Sequence, residues 1–158
     1  MALVNVMAEG FVGAPARLVY DLIRDIREHH PRFLPANFSD LEIEQGGVGA
    51  GTIFTFTGTF VCSTRRFRMR VDEPDPGRVI TESDTMSSMV TTLTLTPEGD
   101  STRVQIETRW NGTEGMAGFM ERTVLPMLMR RVYNDELRRL DRYAREQASQ
   151  QTLAGSRR

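Results

Sequence analysis

Few residues in this chain have the type and spacing that chemistry needs. His29 and His30 are adjacent. Neighbouring residues on a helix point about 100° apart, so adjacent imidazoles rarely share one metal ion. The pair reads as solvated, ahead of Pro31; the lesser alternative is that one of them lines a pocket mouth and handles protons. Cys62 is the lone cysteine, which excludes an internal disulfide and a cysteine metal cluster. Only Arg65 stands near it to favour a thiolate, so it reads as a strand-end thiol without a role. No metal ligand set and no cofactor is expected. The glycine-rich GGVGAGT at 46–52 invites a phosphate-loop reading. Such a loop needs a following helix whose N-terminus holds the anion, and here a strand pattern follows. It reads as a flexible turn. Asp21, Asp25, Glu73 and Asp84 fall at element ends or on polar faces. Tyr20, Thr108 and Tyr133 are the polar groups that fall on apolar faces, where a hydroxyl usually finds a structural partner. No residue is assigned as catalytic.

The elements that must position these groups come from hydrophobic periodicity. Residues 3–12 alternate as a strand. Pro15 opens a helix with Leu18, Leu22 and Ile26 on one face. A shorter helical piece follows around Glu28–Leu34, bracketed by Pro31 and Pro35. From Asp40 the period becomes two, and strands are expected at 40–44, 52–60, 65–73, 78–83, 89–96 and 103–110. Short turns separate them, which makes them antiparallel neighbours. Each has one apolar face, so one side of the sheet needs cover.

The only element long enough to supply it runs from Thr113 to Gln147. It carries two stripes. Met116, Phe119, Met120, Val124 and Met127 form the first; Met129, Tyr133, Leu137, Leu140 and Ala144 form the second, on nearly the opposite side. Pro126 lies between them, and its ring crowds the carbonyl of Arg122, so a bend or break is expected over 121–126. Residues 148–158 lack periodicity and read as a disordered tail.

The totals set bounds. A chain of 158 residues is one domain, and 39% hydrophobic with 26% charged residues is ordinary for a globule. Net charge is −1, so bulk charge points to no nucleic-acid partner. The start of the chain alternates and carries Glu9, unlike a signal peptide or spanning helix, so a cytoplasmic location and no membrane span are expected. Arg66, Arg68 and Arg70 make a basic row that Arg103 and Arg109 could extend. Glu107 interrupts it, and no aromatic residues are interleaved as base stacking would want. A solvated sheet face is the better reading; a ribosome- or protein-interaction face is an alternative.

This order, with GAPARLVYDLI after the first strand, the GVGAGT turn, RVDEPDPGRVI, and a late helix containing Pro126 and ending in ELRRLDRYA, resembles the SRPBCC superfamily. These are the START-related, birch-pollen-allergen-like and polyketide cyclase/dehydrase-like helix-grip proteins. The resemblance spans Leu3 to about Gln147. It implies an α+β fold over residues 1–147, with a curled antiparallel sheet of about seven strands, ordered β-α-α-β6-α. The sheet would wrap a long, Pro-kinked C-terminal helix around an internal cavity, with the glycine turn at the pocket rim. Members bind lipids, polyketides, quinones or other hydrophobic molecules, and some are cyclases or dehydratases. The expected function is therefore binding, and possible transport, of a hydrophobic or aromatic small molecule. A polyketide cyclase/dehydratase is the enzymatic alternative. The expected walls are Phe54, Phe56, Phe67, Met69, Leu93, Leu95 and Trp110 from the sheet, closed by Met116, Phe119, Met120 and Leu128 from the helix. The chain would act as a monomer or homodimer.

Overall fold

The computed structural model describes residues 2–60 and 63–157; Cys62, expected to be an inert strand-end thiol, lies outside them. Strand β1 (Leu3–Val12) leads into helix α1 (Ala16–Arg24) and a short 3₁₀ turn over His30–Arg32. Six strands follow: β2 (Phe38–Gln45), β3 (Ile53–Phe60), β4 (Ser63–Asp75), β5 (Val79–Asp84), β6 (Val90–Glu98) and β7 (Ser101–Asn111). Helix α2 (Gly115–Gly155) closes the chain. The strands form one antiparallel sheet in the order β1-β7-β6-β5-β4-β3-β2. Only β1 leaves chain order, and it pairs with β7 along its whole length, from Leu3 opposite Asn111 to Val12 opposite Thr102.

Alternation decides which side of the sheet is dry. Val4, Val6, Ala8 and Val12 of β1 point inward, as do Val104, Ile106, Thr108 and Trp110 of β7. The outward rows carry the arginines. Arg66 pairs with Glu42, Arg68 with Glu44, Arg70 with Asp72, Arg103 with Glu9 and Glu98, and Arg109 with Glu107. With its charges matched at home, this face offers little net field to a polyanion.

The core lies between the inner sheet face, α1 and α2. Here the structure reverses one expectation. The second stripe of α2 is the buried one: Met129, Tyr133, Leu137, Leu140 and Ala144 all pack inward. The first stripe faces out, with Met116 87%, Phe119 59% and Met120 54% exposed. Both stripes are equally apolar, so composition could not choose between them; what decides is which half of the helix overlies the sheet. The helix also runs unbroken through Pro126. Arg122, whose carbonyl loses its partner there, is exposed, so water can take the place of the missing N–H. Beyond Gln147, where the apolar spacing stops, the helix continues to Gly155. No helix among the described residues is long and apolar enough to cross a membrane.

One cluster fixes α1 to the sheet. Glu73 of β4 accepts hydrogen bonds from Tyr20 Oη at 2.7 Å, Arg24 Nε at 2.9 Å and the Ala50 backbone N–H at 2.8 Å. The Arg24 guanidinium holds the Glu73 carboxyl down at about 2, against the opposing pull of burial. Burial, helped by the contact with Glu73, pushes Tyr20 up to about 12. Glu73 is therefore no free surface carboxylate, and Tyr20 is an anchor. The glycine turn is held in this cluster as well. Gly49 N–H donates to the Arg24 carbonyl at 2.9 Å and Arg27 N–H to the Gly47 carbonyl at 3.1 Å. Gly49 has φ of 68°, and an added Cβ would strike the Arg24 and Glu73 side chains, so glycine is required there.

Candidate functional site

Between the inner sheet face and α2 lies a cavity of about 410 Å³. Its aromatic wall comes from adjacent strands. Phe54 and Phe56 of β3 stack at 5.9 Å between ring centroids, and Phe56 stacks on Phe67 of β4 at 5.1 Å. Phe38 of β2 meets Phe56 edge-on at 5.5 Å. Gly58 makes room for this wall: a Cβ there would sit 2.8 Å from the Phe67 ring. Met69, Leu93, Ile106 and Trp110 continue the apolar lining, and Leu125 and Met129 bring α2 against it.

Inside the sheet, polar groups gather in one transverse row. Sheet register places Glu82 of β5 opposite Thr91 of β6, and Thr91 opposite Thr108 of β7. The row on one side is apolar, made by Ile80, Leu93 and Ile106; the row on the other includes buried Asp84. From the helix, Tyr133 Oη meets Thr108 Oγ1 at 2.6 Å, and Thr108 Oγ1 meets Thr91 Oγ1 at 2.8 Å. Glu136, three residues on, lines the same space. Burial pushes the Tyr133 hydroxyl strongly upward.

Two carboxyl groups stand out. Glu82 is 9% and Glu136 7% exposed, and Glu82 Oε1 has no hydrogen-bond partner among the described residues. Burial pushes Glu82 above the usual carboxylate range, partly offset by nearby His30. Burial, then repulsion from Glu82 and Asp135, raises Glu136 to about 8. Desolvation disfavours the charged form, so both groups hold their protons more tightly than in water.

His30 also lines the cavity and is buried, with Nδ1 2.8 Å from the Ile23 carbonyl. His29 is instead 2.6 Å from Tyr143 Oη. The two rings thus point to different partners, and His30 is not solvated as its position beside Pro31 led us to expect. Asp84, expected on a surface, is buried; it takes Arg65 Nη2 at 2.6 Å and Ser87 Oγ at 2.6 Å at the cavity mouth. Arg65 also lies over the Phe67 ring at 4.7 Å. Trp110 Nε1 donates to Glu121 Oε1 at 2.6 Å, while Thr113 N–H and Oγ1 donate to Glu121 Oε2 at 2.9 and 2.6 Å. Burial raises the Glu121 carboxyl, but the Thr113 and Trp110 donors outweigh it and leave it below its ordinary value.

Of the residues expected to form the walls, Phe54, Phe56, Phe67, Met69, Leu93 and Trp110 lie on the cavity. Leu95 is fully buried in the core behind it, and Leu128 is half-buried away from it. Met116, Phe119 and Met120 face outward, because the first stripe is on the solvent side of α2. Sequence reasoning missed Glu82 and Glu136. Their signal was phase: Glu82 alternates with Ile80, and Glu136 stands three after Tyr133 and four before Leu140. The glycine turn lies against α1 and contributes nothing to the cavity lining, so it does not form the rim. No group of three or more metal-ligating residues occurs among the described residues.

This architecture is shared widely. The model for the family "Polyketide cyclase / dehydrase and lipid transport" matches residues 4–145. The solution structure of the KanY protein is similar at 28% identity and a TM-score of 0.81, over 92% of this chain and 99% of that one. The crystal structure of TTHA0849 from Thermus thermophilus is similar at 23% identity and a TM-score of 0.71, over 89% and 96%. The ZhuI aromatase/cyclase from Streptomyces sp. R1128 is similar at 16% identity and a TM-score of 0.73, over 93% and 96%. The last two show a common helix-grip fold. No curated protein is a significant match to the chain.

Proposed function

Because this chain belongs to the polyketide cyclase/dehydrase and lipid transport family, we propose that it binds a flat hydrophobic or aromatic small molecule inside the cavity. The carrying observation is the stacked Phe54–Phe56–Phe67 wall facing a cavity of about 410 Å³. Ligand sites are mostly apolar, with a few polar groups that fix orientation. Stacked phenyl rings bury large area against a planar molecule and add about 0.5–1.5 kcal/mol per favourable ring pair. Transport follows from the same binding if the molecule is handed on unchanged.

Trp110 is the sole tryptophan and lines the cavity, so it reports occupancy directly. Titration with 2-naphthol or a naphthoquinone should quench its emission saturably. Phe54→Ala and Phe67→Ala should weaken that binding about tenfold, whereas Met120→Ala, on the outer face, should not. A folded protein whose Trp110 responds to no planar hydrophobic probe would refute the reading.

One observation favours a second reading, a cyclase or dehydratase. A buried carboxyl at about 8, beside a second and beside a hydroxyl chain, suits proton transfer near neutral pH. In a dehydration, one ionised carboxylate would take the proton α to a carbonyl while the other, protonated, gives its proton to the departing hydroxyl, releasing water. Turnover of a β-hydroxyketone lost in Glu136→Gln, with binding retained, would distinguish catalysis from carriage.

A further inference from the structure

The cavity contains an imbalance of hydrogen-bonding groups. Most of the donors in its interior are engaged. Tyr133 Oη, Thr108 Oγ1 and Thr91 Oγ1 are linked to one another. Trp110 Nε1 is committed to Glu121. His30 Nδ1 faces a backbone carbonyl, which only accepts, so that nitrogen carries the proton and spends it there. Arg65 is tied to Asp84 at the mouth and is half exposed. The acceptors are not engaged. Glu82 Oε1 is buried with no partner among the described residues, and Glu136 lines the same space from α2, close enough to be repelled by Glu82. Leaving a buried acceptor unmatched costs on the order of the full desolvation of that group, so its retention calls for a reason.

We propose that the preferred ligand is an aromatic amine bound as its cation, its ammonium between Glu82 and Glu136 and its ring against Phe54, Phe56 and Phe67. This rests on the cavity being a small-molecule site and names the class of molecule. An ammonium brings three donors and no acceptor, the complement of what the cavity leaves open. It also supplies the positive charge that two neighbouring buried carboxyls lack, while phenyl faces favour a nearby cation. A neutral phenol or alcohol brings one donor and no charge.

The titratable and charged groups lining the cavity around these two are His30 from the 3₁₀ turn, Arg65 from β4, and Glu121 and Tyr133 from α2, and Asp135 acts on Glu136 from the same helix. Of the basic residues among them, Arg65 is neutralised by Asp84, and His30, close enough to Glu82 to favour its ionised form, spends its Nδ1 proton on the Ile23 carbonyl. A cation favours ionised carboxylates. Glu136 holds a proton below about 8, so seating the ammonium there expels that proton. Amine affinity therefore rises as pH approaches 8, and protons are released on binding.

Isothermal titration calorimetry of 1-naphthylmethylamine and its neutral counterpart 1-naphthylmethanol tests this, at pH 6 and 8.5, in two buffers of different ionisation heat. The amine should bind about tenfold tighter than the alcohol at pH 8.5, with a smaller advantage at pH 6. Proton release should accompany the amine only. Glu82→Gln and Glu136→Gln should erase the preference while alcohol binding persists, which also certifies their folding. Equal affinity for the two probes at both pH values, or a preference that survives both substitutions, overturns the inference. If the alcohol binds and the amine gains nothing, the cavity reading stands and this one falls. If neither probe binds, both fall.

Discussion

Replacing Glu136 by glutamine should change how stability depends on pH. The side chain is buried against the cavity, and its carboxyl is raised from an ordinary 4.5 to about 8. The sign follows from proton binding. Between the unfolded and folded values the native state holds a proton that the unfolded chain has lost. Its stability is therefore fully present below about pH 4.5 and is lost as pH rises towards 8. The ceiling on that loss is about 5 kcal/mol, at about 1.4 kcal/mol for each tenfold change in proton affinity; water entering the cavity brings the expected value nearer 2–3 kcal/mol. Glutamine keeps the shape and cannot ionise. Guanidinium denaturation of both proteins at pH 5 and 9 is the assay. The wild-type protein should lose stability relative to Glu136→Gln over that interval by about 2–3 kcal/mol. Glu73 does not confuse the comparison, because its own window lies below 4.5. A wild-type-to-variant difference that is the same at both pH values would show that Glu136 is solvated and would refute the reasoning.

Glu73 should behave oppositely. Its carboxyl is lowered to about 2, so its contribution is present above about pH 4.5 and disappears as pH falls towards 2. Glu73→Gln should cost about 2–3 kcal/mol at pH 7 and much less at pH 2, read from denaturation midpoints. Gly58→Ala places a methyl group 2.8 Å from the Phe67 ring, so it should destabilise the fold by about 1–3 kcal/mol and weaken 2-naphthol quenching of Trp110. Met120→Ser, at 54% exposure, should leave stability within about 0.5 kcal/mol. Glu121→Ala removes the acceptor shared by Trp110 and Thr113, and should speed amide exchange over 113–121 while the Met129–Ala144 turns stay protected.

The strands were legible because alternation is a local signal. Val104, Ile106, Thr108 and Trp110 face inward as their spacing says; the pairing of β1 with β7 is non-local, and alternation, which every strand shares, does not select it. The helix was legible in existence but not in phase, and its last turns, from Gln147 to Gly155, carry no apolar spacing that would have revealed them. Met116–Met127 and Met129–Ala144 present the same chemistry, and only the sheet beneath settles which is buried. The carboxyls of the cavity failed for a different reason. Glu82 and Glu136 occupy apolar-phase positions, yet residue type alone assigns a glutamate to water. A charged residue in step with a buried row is itself the signal. Glu73 was hidden in another way: its partners Tyr20, Arg24 and Ala50 come from two distant segments, which no spacing rule joins.

The cavity is one-ended. The exposed residues along it, Ser63, Arg65, Ser87, Ser88, Asn111 and Thr113, all belong to the β3–β4 tip, the β5–β6 turn and the β7–α2 junction. These three meet at a single end of the sheet, where Asn111 N–H bonds Ser88 Oγ and Arg65 bonds Asp84. The glycine turn, at the other end, is tied to α1 directly and through Glu73. A guest must then back out by the door through which it came, head last. Its orientation is chosen at entry and cannot be corrected inside, so a molecule with a bulky tail would leave that tail projecting past Arg65 and Thr113. Whatever collects or modifies the guest would meet the tail first, beside the mouth where Glu121 ties Thr113 to Trp110.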